Sequence, residues 1–183
     1  MSLVANSRYK LTHEPPPFRR AAHRAALASD ATPPTLARFV EDTTNFRLEW
    51  WQQAICARLE RLMHERGQRV LIHGPPQFGK SIIISQRFPC YGLGIDPLHR
   101  FRVACYNVTH ATRFSRMNLD LMHSPEYRAA FPAAHVSDRA SAEEWSTDAR
   151  AALRDANPSF KPLGLGSGFV GLGVDTLIID DPY

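Results

Sequence analysis

Four side chains stand out for their chemistry: Lys80, Ser81, Asp180 and Asp181. The first two close the run Gly74-Pro75-Pro76-Gln77-Phe78-Gly79-Lys80-Ser81, a full match to G-x-x-x-x-G-K-[ST], the pattern of a loop that holds the phosphates of ATP or GTP. Glycines let the N–H groups of such a loop turn inward without a Cβ clash, and the N-terminus of the helix that follows adds partial positive charge. Lys80 is then a point charge for the outer phosphates, and the Ser81 hydroxyl is placed to ligate Mg²⁺. The last two lie in Thr176-Leu177-Ile178-Ile179-Asp180-Asp181-Pro182, an apolar run that ends in a carboxylate pair. Beside a phosphate loop, Asp180 would steady Mg²⁺ through its waters and Asp181 would polarise the attacking water. Without the loop, the same stretch reads as a buried strand running into an Asp-Pro turn.

The elements that must carry these residues can be sketched from pattern. Val70-Leu71-Ile72 suggests a strand over Arg69–His73 leading into the loop. Ile82-Ile83-Ile84 alone would suggest a strand, but the loop must open a helix, which Pro89 then bends or ends. Before the loop, Leu48, Trp51, Ile55, Leu59 and Leu62 fall at helical spacing within about Phe46–Arg66. After it, Gly92, Gly94 and Pro97 mark a loop, and Phe101–Asn107 reads as a strand. Thr109 is a candidate cap for a helix running to His123 with Phe114, Met117, Leu121 and Met122 in the core. Pro125 restarts a helix that stops near Pro132. Residues 133–162 are polar and poorly patterned, with Trp145 as the large anchor. The run Gly164–Gly173 carries five glycines and reads as a twisted hairpin or a mobile loop. Strands alternating with helices imply an α/β domain with a mainly parallel sheet.

Composition narrows the class. The 183 residues suffice for one domain with a sizeable core, and 44% hydrophobic with 22% charged residues is ordinary for a soluble protein. No apolar stretch approaches the length of a membrane span, and no signal-peptide pattern is present. The three cysteines, Cys56, Cys90 and Cys105, are widely spaced and odd in number, which points to buried thiols in a reducing compartment. The net charge is +4, and much of the excess lies early, at Arg8, Lys10, Arg19, Arg20, Arg24 and Arg38. Residues 1–45 therefore read as an irregular basic leader, and 46–183 as the folded part. His73, just before the loop, reads as a packing residue, and His99, His110, His123 and His135 show no metal-ligand spacing.

Over residues 46–183 the chain resembles the large subunit of the terminase, the DNA-packaging ATPase of tailed bacteriophages. Pro75-Pro76-Gln77-Phe78-Gly79-Lys80-Ser81 looks like that family's Pro-Pro-Arg-His-Gly-Lys-Ser form. Arg87-Phe88-Pro89, Leu93-Gly94, Val103-Ala104-Cys105-Tyr106, Arg113-Phe114-Ser115-Arg116, Tyr127–Pro132, Trp145-Ser146-Thr147 and the Gly-rich run into Asp180-Asp181-Pro182 follow in the family's order. The resemblance implies a P-loop NTPase of the RecA-like kind, a three-layer sandwich incomplete at its C-terminus. It also implies the N-terminal ATPase part of a motor that drives double-stranded viral DNA into a procapsid, with ATP and Mg²⁺ as cofactors. The implied partners are portal protein, a small terminase subunit and further copies in a ring, in the cytoplasm of a bacterial host and away from membranes. Gln52 looks like the adenine-reading glutamine, with Gln53 competing for the role and a solvent-facing helix position as the plain alternative.

Two departures bear on mechanism. Gln77 stands where the family often has an arginine that acts on the transition-state phosphate, and such a cation can be worth roughly 10³-fold or more in rate. Asp181 stands where many relatives have Glu. Sheets of this ATPase class also place a later strand between the loop strand and the Asp180 strand. That strand, and the family's nuclease domain, would follow Tyr183, so two strand edges are expected to lack a neighbour. The alternatives are another DNA-dependent ATPase of the helicase type, or a truncated prophage remnant that binds nucleotide without productive hydrolysis.

Overall fold

Phe101-Arg102-Val103-Ala104-Cys105 is apolar but for one residue, and it forms the strand around which the rest is arranged. In the computed structural model, residues 32–65, 67–153, 157–166, 171 and 173–182 are described. This strand, β1 (Phe101–Cys105), is buried along its whole length. β2 (Phe160–Gly164) and β3 (Thr176–Ile179) flank it in the order β2-β1-β3, and both pairings are parallel. The fold is therefore mixed α/β with a parallel sheet, and a parallel strand buried on both faces reads as a near-continuous apolar run, as β1 does but for Arg102.

The helices lie around the core. α1 (Leu36–Asp42) is capped by Thr35, whose hydroxyl accepts from the Arg38 N–H at 3.2 Å. α2 spans Trp50–Leu62. After the loop a helix runs on as a π-helical turn, Ile82–Arg87, followed by α3 (Phe88–Ile95). α4 (Val108–His123) packs on β1 and β2 and buries Ala111, Phe114, Ser115, Asn118, Leu121 and Met122, one stripe at helical spacing. α5 (Pro125–Ala130) has Pro at its first position, where a missing N–H costs nothing. α6 (Asp148–Ala151) is a single turn. Phe39, Tyr91, Tyr127 and Phe131 form an aromatic cluster with ring centroids 5.3–6.1 Å apart.

Several expectations change. The leader does not extend to residue 45: Leu36, Phe39 and Val40 are fully buried, so 36–42 belongs to the core, while residues 1–31 lie outside the described residues. The inward face of α2 is Gln52, Cys56 and Leu59; Trp51, Ile55 and Leu62 flank it half-buried, and Leu48 precedes the helix. Arg69–His73 is not a strand. Among the described residues no strand edge pairs with it, and a lone extended segment keeps its N–H and C=O groups satisfied only in water. Leu71 is accordingly 93% exposed.

Gly92 and Gly94 do not mark a loop. They sit inside α3, where a Cβ would come within 2.5 Å of the Phe101 ring and 2.4 Å of the Phe131 ring respectively, so glycine there is a packing requirement. The cap of α4 is Asn107, whose side chain accepts from the His110 N–H at 2.9 Å, because β1 ends at Cys105. Met117 is exposed. β2 had no expectation at all, since Phe160-Lys161-Pro162-Leu163-Gly164 mixes charge, Pro and Gly and has no clean period. Half of the Gly-rich run, residues 167–170 and 172, lies outside the described residues.

The three cysteines are free and buried as expected. Burial pushes the Cys56 thiol up to about 12 and the Cys105 thiol up to about 11, the latter with help from Asp180 and Asp181. Among the described residues no helix is long and apolar enough to cross a membrane.

Candidate functional site

The site lies where the loop faces the carboxyl end of β3. Asp180 directly follows β3, and its backbone N–H donates to the Ala104 carbonyl at 2.9 Å, continuing the pairing with β1. This anchors the carboxylate at the end of the sheet. Opposite, the helix that begins at Lys80 carries Ser81, whose hydroxyl donates to Asp180 Oδ1 at 3.2 Å across 99 positions of sequence. The two side chains are thus in direct contact.

The loop itself is shaped by two residues in the left-handed backbone region, Gly79 (φ 73°) and Gln77 (φ 62°). Gly79 is required there, since a side chain would be strained and its Cβ would meet Gln52 Nε2 at 3.3 Å. Gln77 is exposed and carries the strain of a non-glycine residue in this region. Asp181 is also left-handed, at φ 42°, and exposed beside Asp180.

α2 clamps the loop. Gln52 is buried, its Oε1 accepting from the Glu49 N–H at 2.8 Å and its Nε2 donating to the Phe78 carbonyl at 3.2 Å. The Phe78 ring packs on Trp51 with centroids 5.5 Å apart. Gln52 is thus neither solvent-facing nor fully free: its acceptor and one donor already serve the protein. Gln53 is exposed, with Nε2 donating to the Leu48 carbonyl at 2.9 Å. Lys80 folds back on its own loop, donating to the Gly74 carbonyl at 2.9 Å and to the Pro75 carbonyl.

Loop, α2 and β3 line one cleft of about 2290 Å³. Gln52, Gly74, Pro76, Gln77, Phe78, Gly79, Lys80, Ser81, Asp180 and Asp181 all contribute to its wall; Pro75 does not. The cleft exceeds the usual small-molecule pocket of roughly 300–1,000 Å³. Residues 68–73 also line it without pairing to β3, whose outer edge has no partner among the described residues. Leu177 and Ile179 on β3 are correspondingly half exposed, at 45% and 54%.

A hydroxyl and a carboxylate are hard oxygen donors and suit Mg²⁺, which takes one or two protein ligands and fills the rest with phosphate and water. Ser81 and Asp180 fit that description. Among the described residues there is no group of three or more His, Cys, Asp or Glu side chains that could hold a metal without such help. Cys105 is buried at the end of β1, where burial and the two acids favour the neutral thiol over the thiolate that acts as a nucleophile.

Two contributors were missed from sequence. Arg69 lines the cleft from the segment that leads into the loop. Ser85 is fully buried and donates to Asp180 Oδ2 at 2.8 Å. Its signal was present: Ser85 is four residues after Ser81, so both face the same way from one helix. Comparisons with protein-family models, with curated proteins and with solved structures found no match.

Proposed function

We propose that the chain binds ATP with Mg²⁺ in this cleft and hydrolyses it, as the ATPase part of a DNA-packaging motor of the terminase large-subunit kind. The observation that carries the nucleotide reading is the 3.2 Å contact between Ser81 Oγ and Asp180 Oδ1. It joins the end of a phosphate-loop pattern to the acid at the tip of a parallel strand, and carboxyl ends of such strands are where open α/β sheets take ligands. On this reading the domain is a P-loop NTPase.

Each residue then has a defined task. The N–H groups of the loop and of the helix start cradle the phosphates. Lys80 exchanges the Gly74 and Pro75 carbonyls for phosphate oxygens, gaining charge-assisted hydrogen bonds in place of neutral ones. Ser81 and Asp180 hold the Mg²⁺ side, and Asp181, exposed in the same cleft, orients and deprotonates the attacking water. Mg²⁺ supplies positive charge against the phosphate oxygens when bound. Gln52 acts through the loop by holding the Phe78 carbonyl, and keeps one amide N–H for the base.

The motor assignment rests on the order of motifs over residues 46–183. Double-stranded viral DNA, portal protein, a small terminase subunit and a ring of copies are the partners it proposes, in the cytoplasm of a bacterial host.

The test is ATP binding with and without Mg²⁺, measured calorimetrically for wild type and Asp180→Asn. Wild type should bind at least about tenfold tighter with Mg²⁺, one tenfold step being 1.4 kcal/mol, and Asp180→Asn should lose that gain. Wild-type affinity indifferent to Mg²⁺ would remove the reading. A second variant probes turnover. Gln77 carries no charge and lines the cleft from an exposed, left-handed position. Gln77→Arg should raise the hydrolysis rate at least about tenfold, towards the roughly 10³-fold that an arginine in this role can supply. An unchanged rate would leave the missing cation to another group, with Arg69 next in line.

A further inference from the structure

Ser85 has no role in the reaction outlined above, yet it is fully buried and its hydroxyl touches the central carboxylate. The cause begins at Pro89. In an α-helix the Ser85 carbonyl would accept from the N–H four residues on, but that residue is proline, which has no N–H and whose ring clashes with the carbonyl four residues back. The helix widens instead. Ile82–Arg87 winds as a π-helical turn, with the Phe88 N–H donating to the Ile83 carbonyl. Such turns recur at functional sites.

The freed Ser85 carbonyl receives a replacement donor from across the core. Asn118, fully buried on α4, donates its Nδ2 to that carbonyl at 3.2 Å. Ser85 is thereby held from behind by Asn118 and reaches forward to Asp180 Oδ2 at 2.8 Å, while Ser81 takes Oδ1 at 3.2 Å. The two contacts differ in character. The shorter one has a buried donor, and the longer one involves the oxygen and the hydroxyl that would part to admit a cation.

We propose that Ser85, supported by Asn118, is a positioning residue: it locks one oxygen of Asp180 so that the other stays turned towards Ser81 and the metal side of the site. The metal part of this inference rests on the nucleotide reading; the locking of Asp180 does not. Ser85 touches neither nucleotide nor metal, and its effect passes through the orientation of Asp180. A merely structural serine would change stability and leave that orientation alone.

The experiment uses the whole chain, isotopically labelled, and reads the Asp180 side-chain rotamer from three-bond couplings by NMR. Wild type should show one rotamer, Ser85→Ala should show averaging, and Ser85→Thr, which keeps the hydroxyl, should restore a single rotamer. In parallel, Ser85→Ala should raise the Mg²⁺ concentration for half-maximal ATP affinity roughly tenfold, the scale of one hydrogen bond to a charged group. ATP affinity without Mg²⁺ should stay within about twofold, since the variant leaves the phosphate cradle intact. A single unchanged Asp180 rotamer in Ser85→Ala overturns the proposal, whether or not Ser85→Thr folds. Averaging in Ser85→Ala, in a protein whose wild type ignores Mg²⁺, supports the positioning and sinks the nucleotide reading instead.

Discussion

Lys80→Ala should weaken ATP binding by at least about 100-fold. A hydrogen bond to a charged group contributes about 1.5–3 kcal/mol, and an ammonium reaching the outer phosphates makes more than one of them, so the loss spans at least two factors of ten. The ammonium is already within its own loop, bonded to the Gly74 and Pro75 carbonyls. Nucleotide must displace those bonds, so the wild-type affinity is a net quantity, reduced by the cost of opening them. The alanine variant lacks both the bonds and the phosphate contacts. It should fold normally, because the lysine lines the cleft and contributes nothing to the core. Lys80→Arg should not rescue binding, since a planar fork replaces a compact point charge in a narrow loop. Titration with a fluorescent ATP analogue checks both variants; near-wild-type affinity in Lys80→Ala would separate the loop pattern from phosphate binding.

Trp145→Ala should destabilise the fold by about 3–5 kcal/mol, a large part of the roughly 5–15 kcal/mol that holds a domain together. The indole is 2% exposed and stacks on Phe160 with centroids 5.1 Å apart and planes 7° from parallel. Its N–H donates to Ser115 Oγ at 3.0 Å, tying the segment to α4. The backbone of Trp145 also exchanges two hydrogen bonds with Phe160, at 2.9 and 3.1 Å. Truncation therefore opens a cavity and strips a buried hydroxyl of its donor in one step. Because Phe160 begins β2, the damage reaches the sheet that anchors Asp180. Trp145→Phe should lie between, keeping a ring against Phe160 and losing the bond to Ser115. Urea unfolding followed by circular dichroism measures both, and a midpoint for Trp145→Ala within error of wild type would show the indole to be dispensable.

Legibility from sequence tracked how local each cause is. Asn107 and Ser124 cap their helices through bonds three residues away, so those two helix starts could be read to within a few positions, whereas the single turn capped by Thr147 lay in a stretch with no readable pattern. The centre of the sheet was legible because Phe101–Cys105 is an apolar run interrupted only by Arg102. β2 was not, because Lys161 and Pro162 hide it, and Phe160 is held by partners distant in sequence, Phe101 in the sheet and Trp145 across an isolated bridge. Gly92 and Gly94 looked like loop punctuation, whereas the rings of Phe101 and Phe131, distant in sequence, decide their identity. Arg69–His73 looked like a strand by composition, but a strand exists only with an edge beside it.

The same division runs through the site. Residue types and spacing alone determined that a phosphate-loop pattern opens a helix, that a carboxylate pair ends an apolar strand, and that the cysteines are not a disulfide frame. Contiguous backbone chemistry is enough for each of these. Only the tertiary structure decided that Ser81 and Asp180 touch, that Gln52 is turned inward onto the Phe78 carbonyl, that residues 36–42 are core, and that Ser85 grips the second oxygen of Asp180 with Asn118 behind it. Those outcomes depend on which buried polar group finds which partner across the core. Burial makes an unpaired donor or acceptor costly, so the partner is dictated by the packed surroundings and not by neighbours in the chain.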